Sequence, residues 1–341
     1  PDDKNVMSLE ASYKYQEQDP TYDLATTQQP FASIIPLLGS GSDYNLLQFK
    51  DVTTRNQEAA LNYYRILNKT NHINFKVGNG YTSQKLSSNM LERMSDGTDN
   101  LIADNDLTNL VDYTFQDYYA SILYKTKLGK LTLTPALNLH YYDIENVQNG
   151  VSESFNKTLL LPSVNARYRF RSSHSLTVNY DVNAEFTDVQ NLAQGIIVRS
   201  YNSLFGGNPL LQNNWYHRAA VNYNNFNMYN YFNVYGGLNY QKKFDDITNI
   251  IQFNGLERVN SPINIDPVNE VLTGFANVSK RYTNFRLNGS GNWTRSVTNN
   301  RISDIDNENV NFQQSYKFSV SSSISSNIQL DLAYQMSFNK Y

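Results

Sequence analysis

Alternation of apolar and polar residues is the dominant pattern of the chain, and its clearest example lies between Leu161 and Tyr223. A first run alternates the apolar set Val164, Ala166, Tyr168 and Phe170 with the polar set Asn165, Arg167, Arg169 and Arg171. After a short turn, a second run places on one side Leu176, Val178, Tyr180, Val182, Ala184 and Phe186. Successive side chains of a β-strand point to opposite faces. Each run is therefore predicted to be a strand with one apolar wall and one polar wall.

The same alternation along the whole chain predicts thirteen strands of about twelve to fifteen residues each. The first covers about residues 5–16, and the last contains residues 328–338. Connections of two to four residues are predicted to alternate strictly with connections of about ten to thirty-five residues. A soluble sandwich would also bury one wall of each strand, but strands of soluble sheets average about five or six residues. A sandwich also leaves the asymmetry of the connections unexplained.

Long strands with short turns at one end and long loops at the other are typical of transmembrane β-barrels. Tyrosine pairs at residues 63–64, 118–119 and 141–142 suit the aromatic girdles of such barrels, since a phenol keeps its ring in the acyl boundary and its hydroxyl among headgroups. We therefore predict an all-β fold, a transmembrane antiparallel up-and-down β-barrel with short periplasmic turns and long extracellular loops. Residues 1–341 form one domain in this prediction, and its apolar wall contacts outer-membrane lipid.

The odd strand number conflicts with a complete barrel. Single-chain bacterial barrels use even strand numbers, and a closed barrel leaves no strand edge unpaired in the membrane. Either a further strand lies within residues 17–52, or the chain is an incomplete part of a barrel of about 14–22 strands. The second interpretation is favoured.

Composition narrows the class of protein further. The mean hydropathy is -0.55 and no run of about 18 apolar residues exists, which argues against a transmembrane helix but not against a barrel, whose strands show lipid only every second residue. A net charge of -3 without a clustered basic patch gives no support to nucleic-acid binding. Cysteine is absent, which excludes disulfides, cysteine-ligated zinc and thiol catalysis.

No catalytic set, cofactor site or metal site is predicted, because the four histidines are scattered along the chain: His72, His140, His174 and His217. An arginine stripe on the polar wall comprises Arg167, Arg169 and Arg171. The stripe could attract an anionic solute, or it could pair with acids of the next strand, Asp181 and Glu185. Pairing is the expected outcome.

The segment from residue 202 to residue 217 resembles the outer loop and descending strand of TonB-dependent receptor barrels. The matching positions are Gly207, Asn208, Pro209 and Leu211, whereas residues 212–214 replace the usual Pro-Glu pair of that family. The resemblance spans about residues 110–341. It implies a barrel of about twenty-two strands, together with an N-terminal plug and a segment that contacts TonB, neither of which is found in this sequence.

The resemblance implies a receptor or transporter of the TonB-dependent type that takes up or binds a bulky ligand. The loops expected to capture the ligand cover residues 17–52, 189–212 and 245–269, and the expected contact aromatics are Tyr201, Phe205 and Trp215. TonB would be a partner if a plug exists in the full gene. The alternative is a non-transporting structural or assembly subunit of an outer-membrane complex. Its partners would be other outer-membrane or periplasmic proteins, or a surface lipoprotein.

Overall fold

A computed structural model describes residues 4–39, 43–265, 269–302, 305–325 and 328–341. Its elements, in chain order, are β1 Asn5–Gln18, β2 Thr21–Thr26, β3 Tyr44–Ile66, β4 Asn71–Arg93, β5 Asp99–Leu101, β6 Asn109–Leu128, β7 Leu131–Gln148, β8 Val151–Arg171, β9 His174–Glu185, α1 Val189–Leu192, β10 Ile197–Ser200, β11 Ser203–Phe205, β12 Asn214–Asn227, β13 Phe232–Phe244, β14 Asp246–Asn254, β15 Glu257–Ile265, β16 Asn269–Arg281, β17 Phe285–Ile302, β18 Ile305–Ser325 and β19 Ile328–Lys340. The chain is therefore almost entirely β-structure, as its alternation predicts. No helix of these residues is long and apolar enough to cross a membrane.

Thirteen long strands form one continuous antiparallel wall, which is the number that the sequence predicts. Their order along the wall follows the chain: β1, β3, β4, β6, β7, β8, β9, β12, β13, β16, β17, β18 and β19. The six short strands lie in the connections. Within the described residues, β1 and β19 do not pair with each other, so the wall has two free edges.

Several strands are longer than predicted, and the strict alternation of short and long connections is wrong. β3 and β4 each contain 23 residues. At the loop end, β7 and β8 are joined by a two-residue turn of Asn149 and Gly150, whose φ angles are 51° and 82°. Asn-Gly is the favoured pair for such a turn because both positions need a left-handed backbone. Strands β17 and β18 likewise extend to Ile302 and from Ile305, and these two residues pair with each other.

Each long strand has an outer face and an inner face. On the outer face the apolar side chains are exposed, as shown by Val178 at 37%, Leu238 at 48% and Leu332 at 60% exposure. The indole of Trp215 and the ring of Phe244 stack on this face at 4.4 Å, close to the loop end. Apolar side chains that project outward without covering protein are what a lipid-facing wall requires.

Two glycines make room for an aromatic ring of the neighbouring strand. Gly274 faces Trp293 across β16 and β17, and a Cβ added at Gly274 would lie 2.2 Å from the indole. Gly78 faces Tyr119 across β4 and β6, where an added Cβ would lie 2.5 Å from the phenol ring. The aromatic side chain covers the glycine backbone in each pair, an arrangement that fixes the strand register.

The long connections fold together at one end of the wall. We call this unit the loop cap. It comprises β2, β5, α1, β10, β11, β14 and β15, together with the described residues of the connections in which these elements lie. Its first apolar cluster joins the cap to the inner face and contains Val52, Leu86, Val111, Tyr113, Val189, Leu192, Ala193, Ile197 and Phe205. A second cluster contains Phe31, Ile35, Leu46, Met90, Ile102, Leu107, Val198 and Leu204. The core of the protein therefore lies between the cap and the loop end of the inner face.

Candidate functional site

The segment between β9 and β12 runs across the inner face instead of projecting away from it. A single helical turn, α1, starts this segment because the Asp188 carboxylate accepts hydrogen bonds from the backbone N–H groups of Gln190 at 2.9 Å and Asn191 at 3.2 Å. A carboxylate is a preferred N-cap because it satisfies donors that lack a partner in the helix. The turn buries Val189 and Leu192 against the inner face.

Three amide side chains of the inner face hold this segment, and we call them the amide clamp: Gln48, Asn109 and Gln148. The Gln48 side chain donates to the carbonyl of Ile196 at 3.0 Å and accepts from the backbone N–H of Val198 at 2.8 Å. Gln48 is 2% exposed. A buried amide with both ends satisfied replaces the backbone partner that a neighbouring strand would supply.

The other two members of the clamp repeat the same two-way contact. Asn109 donates to the Gly195 carbonyl at 3.1 Å and accepts from the Gly195 N–H at 2.8 Å. Gln148 donates to the Leu192 carbonyl at 2.8 Å and accepts from the Gln194 N–H at 3.1 Å. Strands β3, β6 and β7 thus fix a single stretch of seven residues, 192–198, at three points.

The motif that carries the family resemblance folds back onto the same segment. The Gly207 N–H donates to Ala193 O at 2.8 Å, and the Asn208 N–H donates to Asn191 O at 2.7 Å. A Cβ at Gly207 would lie 2.3 Å from Ala193 O, so this close approach requires glycine. The Asn208 side chain donates to Pro262 O at 3.1 Å, which ties the motif to β15. Its role within this chain is therefore to close the cap.

A cavity of about 420 Å³ opens beside the motif, between the cap and the inner face. Its apolar lining includes Tyr113, Ile144, Phe155, Leu192, Pro209, Leu210 and Leu211, and its polar lining includes Asn146, Glu153, Gln212 and Asn213. Phe155 is 48% exposed and Leu210 is 75% exposed. Exposed apolar side chains in a concave site with a few polar groups are typical of ligand pockets. Pro209 and Leu211, two of the four motif residues, thus line this cavity.

The three aromatic residues predicted to contact ligand do not lie together. Tyr201 is 72% exposed at the turn between β10 and β11. Phe205 is buried at 6% exposure, and the guanidinium of Arg199 lies 4.6 Å from the centre of its ring, so Phe205 contributes to the core of the cap. Trp215 belongs to the outer face, where its indole N–H donates to Asp245 at 3.3 Å. None of the three lines the cavity beside the motif.

Residues 17–52, predicted to be irregular, contain β2 and the first part of β3. Their loop is held by Glu92, an inner-face carboxylate that is 1% exposed. The N–H groups of Leu38 and Gly39 donate to it at 2.7 and 2.8 Å. The alternation of the sequence does not predict that Glu92 binds the loop, because a carboxylate on a polar wall is expected to be solvated.

Arg93 and Asp99 fasten the neighbouring loop between β4 and β6. The Arg93 Nε donates to the Asp99 carboxylate at 2.8 Å, and this hydrogen bond lowers the pKa of Asp99 below its ordinary value. Both groups are well exposed, so the contact orders the loop more than it stabilises the fold.

The expected pairing of the arginine stripe is wrong. Asp181 pairs with Arg218 at 3.1 Å, and Glu185 pairs with Lys243 at 2.9 Å. The register of β8 and β9 places Thr177 opposite Arg167, Ser175 opposite Arg169 and His174 opposite Arg171. The stripe has no carboxylate opposite it, since each acid lies further along β9 than the arginines reach.

The chain resembles known outer-membrane proteins in sequence and in fold. The family model described as the outer membrane protein beta-barrel family matches residues 2–341. No curated protein matches in sequence. Among solved structures, the copper transporter OprC is 12% identical with a TM-score of 0.58, covering 98% of this chain and 55% of that chain.

Two further structures show the same architecture. The ferric-catecholate import receptor Fiu from E. coli K12 is 10% identical, with a TM-score of 0.53, and the match covers 97% of this chain and 57% of that chain. The hemophore receptor HasR of Serratia marcescens, solved with its hemophore HasA and heme, is 10% identical with a TM-score of 0.51, covering 95% and 62%. The chain therefore spans little more than half the length of these structures, and at such identities the likeness shows the fold alone.

Proposed function

This chain belongs to the outer membrane protein beta-barrel family, and we propose that it forms barrel wall and ligand-binding loops of a receptor or transporter of the TonB-dependent type. Its place is the outer membrane, with the outer face of the strands against lipid and the loop cap at the extracellular end. The fold likeness to OprC, HasR and Fiu supports the receptor class.

The observation that carries this proposal is the cavity under the loop cap. Phe155 and Leu210 present exposed apolar surface there, and Pro209 and Leu211 line the same cavity. A bulky ligand that enters from outside would meet Leu210 first and would be held against the inner face by Phe155. The volume of about 420 Å³ accommodates part of such a ligand, since sites for drug-sized molecules span about 300–1,000 Å³.

The amide clamp gives the cap a second role in this proposal. Because residues 192–198 lie across the inner face, a ligand that passes inward along the wall must displace them or pass beside them. The clamp supplies six hydrogen bonds to the segment, two from each clamp residue. The cap therefore serves as a gate that binds ligand while it is closed. Energy from a TonB partner would act on the plug that receptors of this type carry.

A transport assay tests the proposal with a matched pair of variants. Cells that express the protein are given a panel of metal chelates and haem, with and without a functional TonB system. We expect TonB-dependent uptake of at least one solute and its loss in Leu210→Asp. The control is Leu256→Asp, since Leu256 is 90% exposed at the β14–β15 turn and lies outside the cavity. Equal uptake by Leu210→Asp would contradict the role of the cavity.

The same experiment separates transport from the alternative function. A structural or assembly subunit would give no solute uptake in any strain, but its deletion would dissociate a complex of outer-membrane proteins. Co-purification with a lipoprotein or a periplasmic protein, together with absent uptake, would sink the receptor proposal.

We further propose that this wall is part of a larger barrel. Two free strand edges support this, because a free edge in lipid leaves backbone N–H and C=O groups without partners, each costing several kcal/mol. Electron microscopy of the full gene product would count the strands. A barrel of thirteen strands closed by direct pairing of β1 with β19 would contradict the proposal.

A further inference from the structure

A second cavity lies on the inner face at the opposite end from the loop cap, and we call it the turn basin. It has a volume of about 700 Å³ and is lined by residues of two short turns and of β4, β6, β7 and β8. Its basic lining consists of Lys69, His72, Lys125, Lys127, Lys130, Arg167 and Arg169. Lys125 and Lys127 are on the inner face because they share the alternation of Val111 and Tyr113, which pack against the cap.

No carboxylate among the residues that the structure describes lines the basin and balances this charge. Its remaining lining is Thr70, Leu123, Gly129, Thr132, Thr134 and Asn165. In the described parts of the chain, none of its lysines or arginines forms an ion pair. Like charges on adjacent strands destabilise a sheet. A set of six permanent cations without a counter-charge therefore has a cost that a bound anion would remove.

Several acids of the inner face form ion pairs with cations that lie outside the basin. Glu10 lies 3.8 Å from Lys76, and Asp117 lies 2.9 Å from His140. The acids of β9 are held by the cations of β12 and β13, as described above. Positive charge thus accumulates at one place on the inner wall.

The register brings the cations within reach of one small molecule. Lys127 and Arg167 both flank Thr132, so their backbones are two strand spacings apart, about 10 Å. Arg167 and Arg169 lie two residues apart on the same face, about 7 Å along the strand. Long flexible side chains close both distances. The guanidinium groups offer paired donors that match the oxygens of phosphate, and the threonine hydroxyls add further donors.

We propose that the turn basin is a binding site for a small soluble polyanion whose charge is carried by phosphate groups. Several cations around one cavity match a molecule with several negative charges better than a single carboxylate. The inner position separates the site from lipid headgroups, which meet the outer face. The cavity volume falls in the range of small-ligand sites, about 300–1,000 Å³. This inference does not rest on the proposed receptor function, because the basin shares no residue with the cavity under the cap.

Titration of the full-length protein in a nonionic detergent tests the site, with tripolyphosphate as the probe and calorimetry as the readout. The triple variant Lys127→Gln, Arg167→Gln, Arg169→Gln should bind tripolyphosphate at least about tenfold more weakly, since each charge-assisted contact contributes to affinity. The control triple variant Lys14→Gln, Lys157→Gln, Lys317→Gln removes the same charge from the inner wall outside the basin. It should change the affinity by less than about twofold.

The outcomes decide between the sources of the anion. Absence of binding by the wild-type protein, or an equal loss in the control variant, would overturn the site. Tighter binding of a glutamate peptide of the same charge would assign the basin to an acidic protein segment instead. Basin-dependent binding to vesicles that contain phosphatidylglycerol, without binding of tripolyphosphate, would assign it to a lipid headgroup. If the triple variant does not fold, protection of Lys125 and Lys127 from amine modification by tripolyphosphate gives the answer in the wild-type protein.

Discussion

Replacing Gln48 with methionine tests whether the amide clamp holds the loop cap on the inner face. Gln48→Met keeps the length and shape of the side chain, but it removes the donor to Ile196 O and the acceptor for the Val198 N–H. Both backbone groups then lose their partner in a site where Val198 is 5% exposed. A buried polar group left without a partner costs about 1–3 kcal/mol. We expect the opening free energy of residues 192–198 to fall by about 2–4 kcal/mol, since water reaches the freed groups only in part.

Hydrogen exchange of the Val198 N–H measures this opening directly. Local opening exposes the amide, so its exchange rate should rise by roughly thirty- to a thousandfold for the expected change in free energy. Gln57→Met is the matched control, because Gln57 lies on the exposed outer face of the same strand. Unchanged exchange at Val198 in Gln48→Met would refute the clamp.

The clamp also predicts cooperative opening of the cap. Gln148 contacts Leu192 and Gln194 but not Val198. If residues 192–198 open as one unit, Gln148→Met should accelerate exchange at Val198 as well as at Gln194. Acceleration confined to Gln194 would mean that the three contacts act separately, and a gating role for the whole segment would then lose its basis.

The remaining predictions concern the two faces of the wall and the core of the cap. Leu238→Arg should lower the free energy of unfolding in lipid by about 2–4 kcal/mol, whereas Asn239→Arg on the inner face should be tolerated, and equal effects in urea titrations would count against the assigned faces. Gly274→Val should displace the indole of Trp293 and lower the free energy of unfolding by about 1–3 kcal/mol. Tryptophan fluorescence should report the displacement as a shifted emission, and an unchanged spectrum would contradict the close contact. Phe205→Ala should destabilise the cap by about 3–5 kcal/mol and expose it to limited proteolysis, whereas Tyr201→Ala should cleave like the wild type.

The sequence predicts the membrane part of the wall because every strand there follows one rule: apolar side chains face outward to lipid and polar side chains face inward. In β7, Leu137 and Leu139 face outward, and Asn138 and His140 face inward, as the alternation indicates. Pro135 also lies in this strand and has no N–H to donate to the ladder. The ladder between β6 and β7 lacks pairs between residues 124–125 and 134–135 and continues without a register shift, so the missing N–H of Pro135 is accommodated by a local interruption.

The loop ends of the strands are harder to predict from the sequence, because the inner face is no longer polar there. Leu46, Leu86 and Val111 are inner-face residues, yet they are apolar since they pack against the cap. Apolar residues on both faces erase the alternation, and the first part of β3 consequently resembles an irregular segment. Strand lengths were underestimated for the same reason.

Contacts between distant parts of the chain account for what the sequence could not predict in the site. The glycine motif was visible because its residues are adjacent, but the clamp joins Gln48 to Val198 across 150 residues. The predicted ion pairs of the arginine stripe are wrong for a different reason. Alternation correctly places the three arginines on the inner wall. Their cross-strand neighbours, however, depend on the register of β8 and β9, which alternation does not determine.

The inner wall has two chemically distinct halves. At the loop end, apolar side chains and the amide clamp bind the protein's own cap; at the turn end, unpaired cations face open volume.

Antiparallel order over thirteen strands makes β1 and β19 run in the same direction. Only an odd number of additional strands can join the two edges by antiparallel pairing, because each added strand reverses direction. A completed even-numbered barrel would then surround both halves, so that a solute leaving the cap would face the turn basin next.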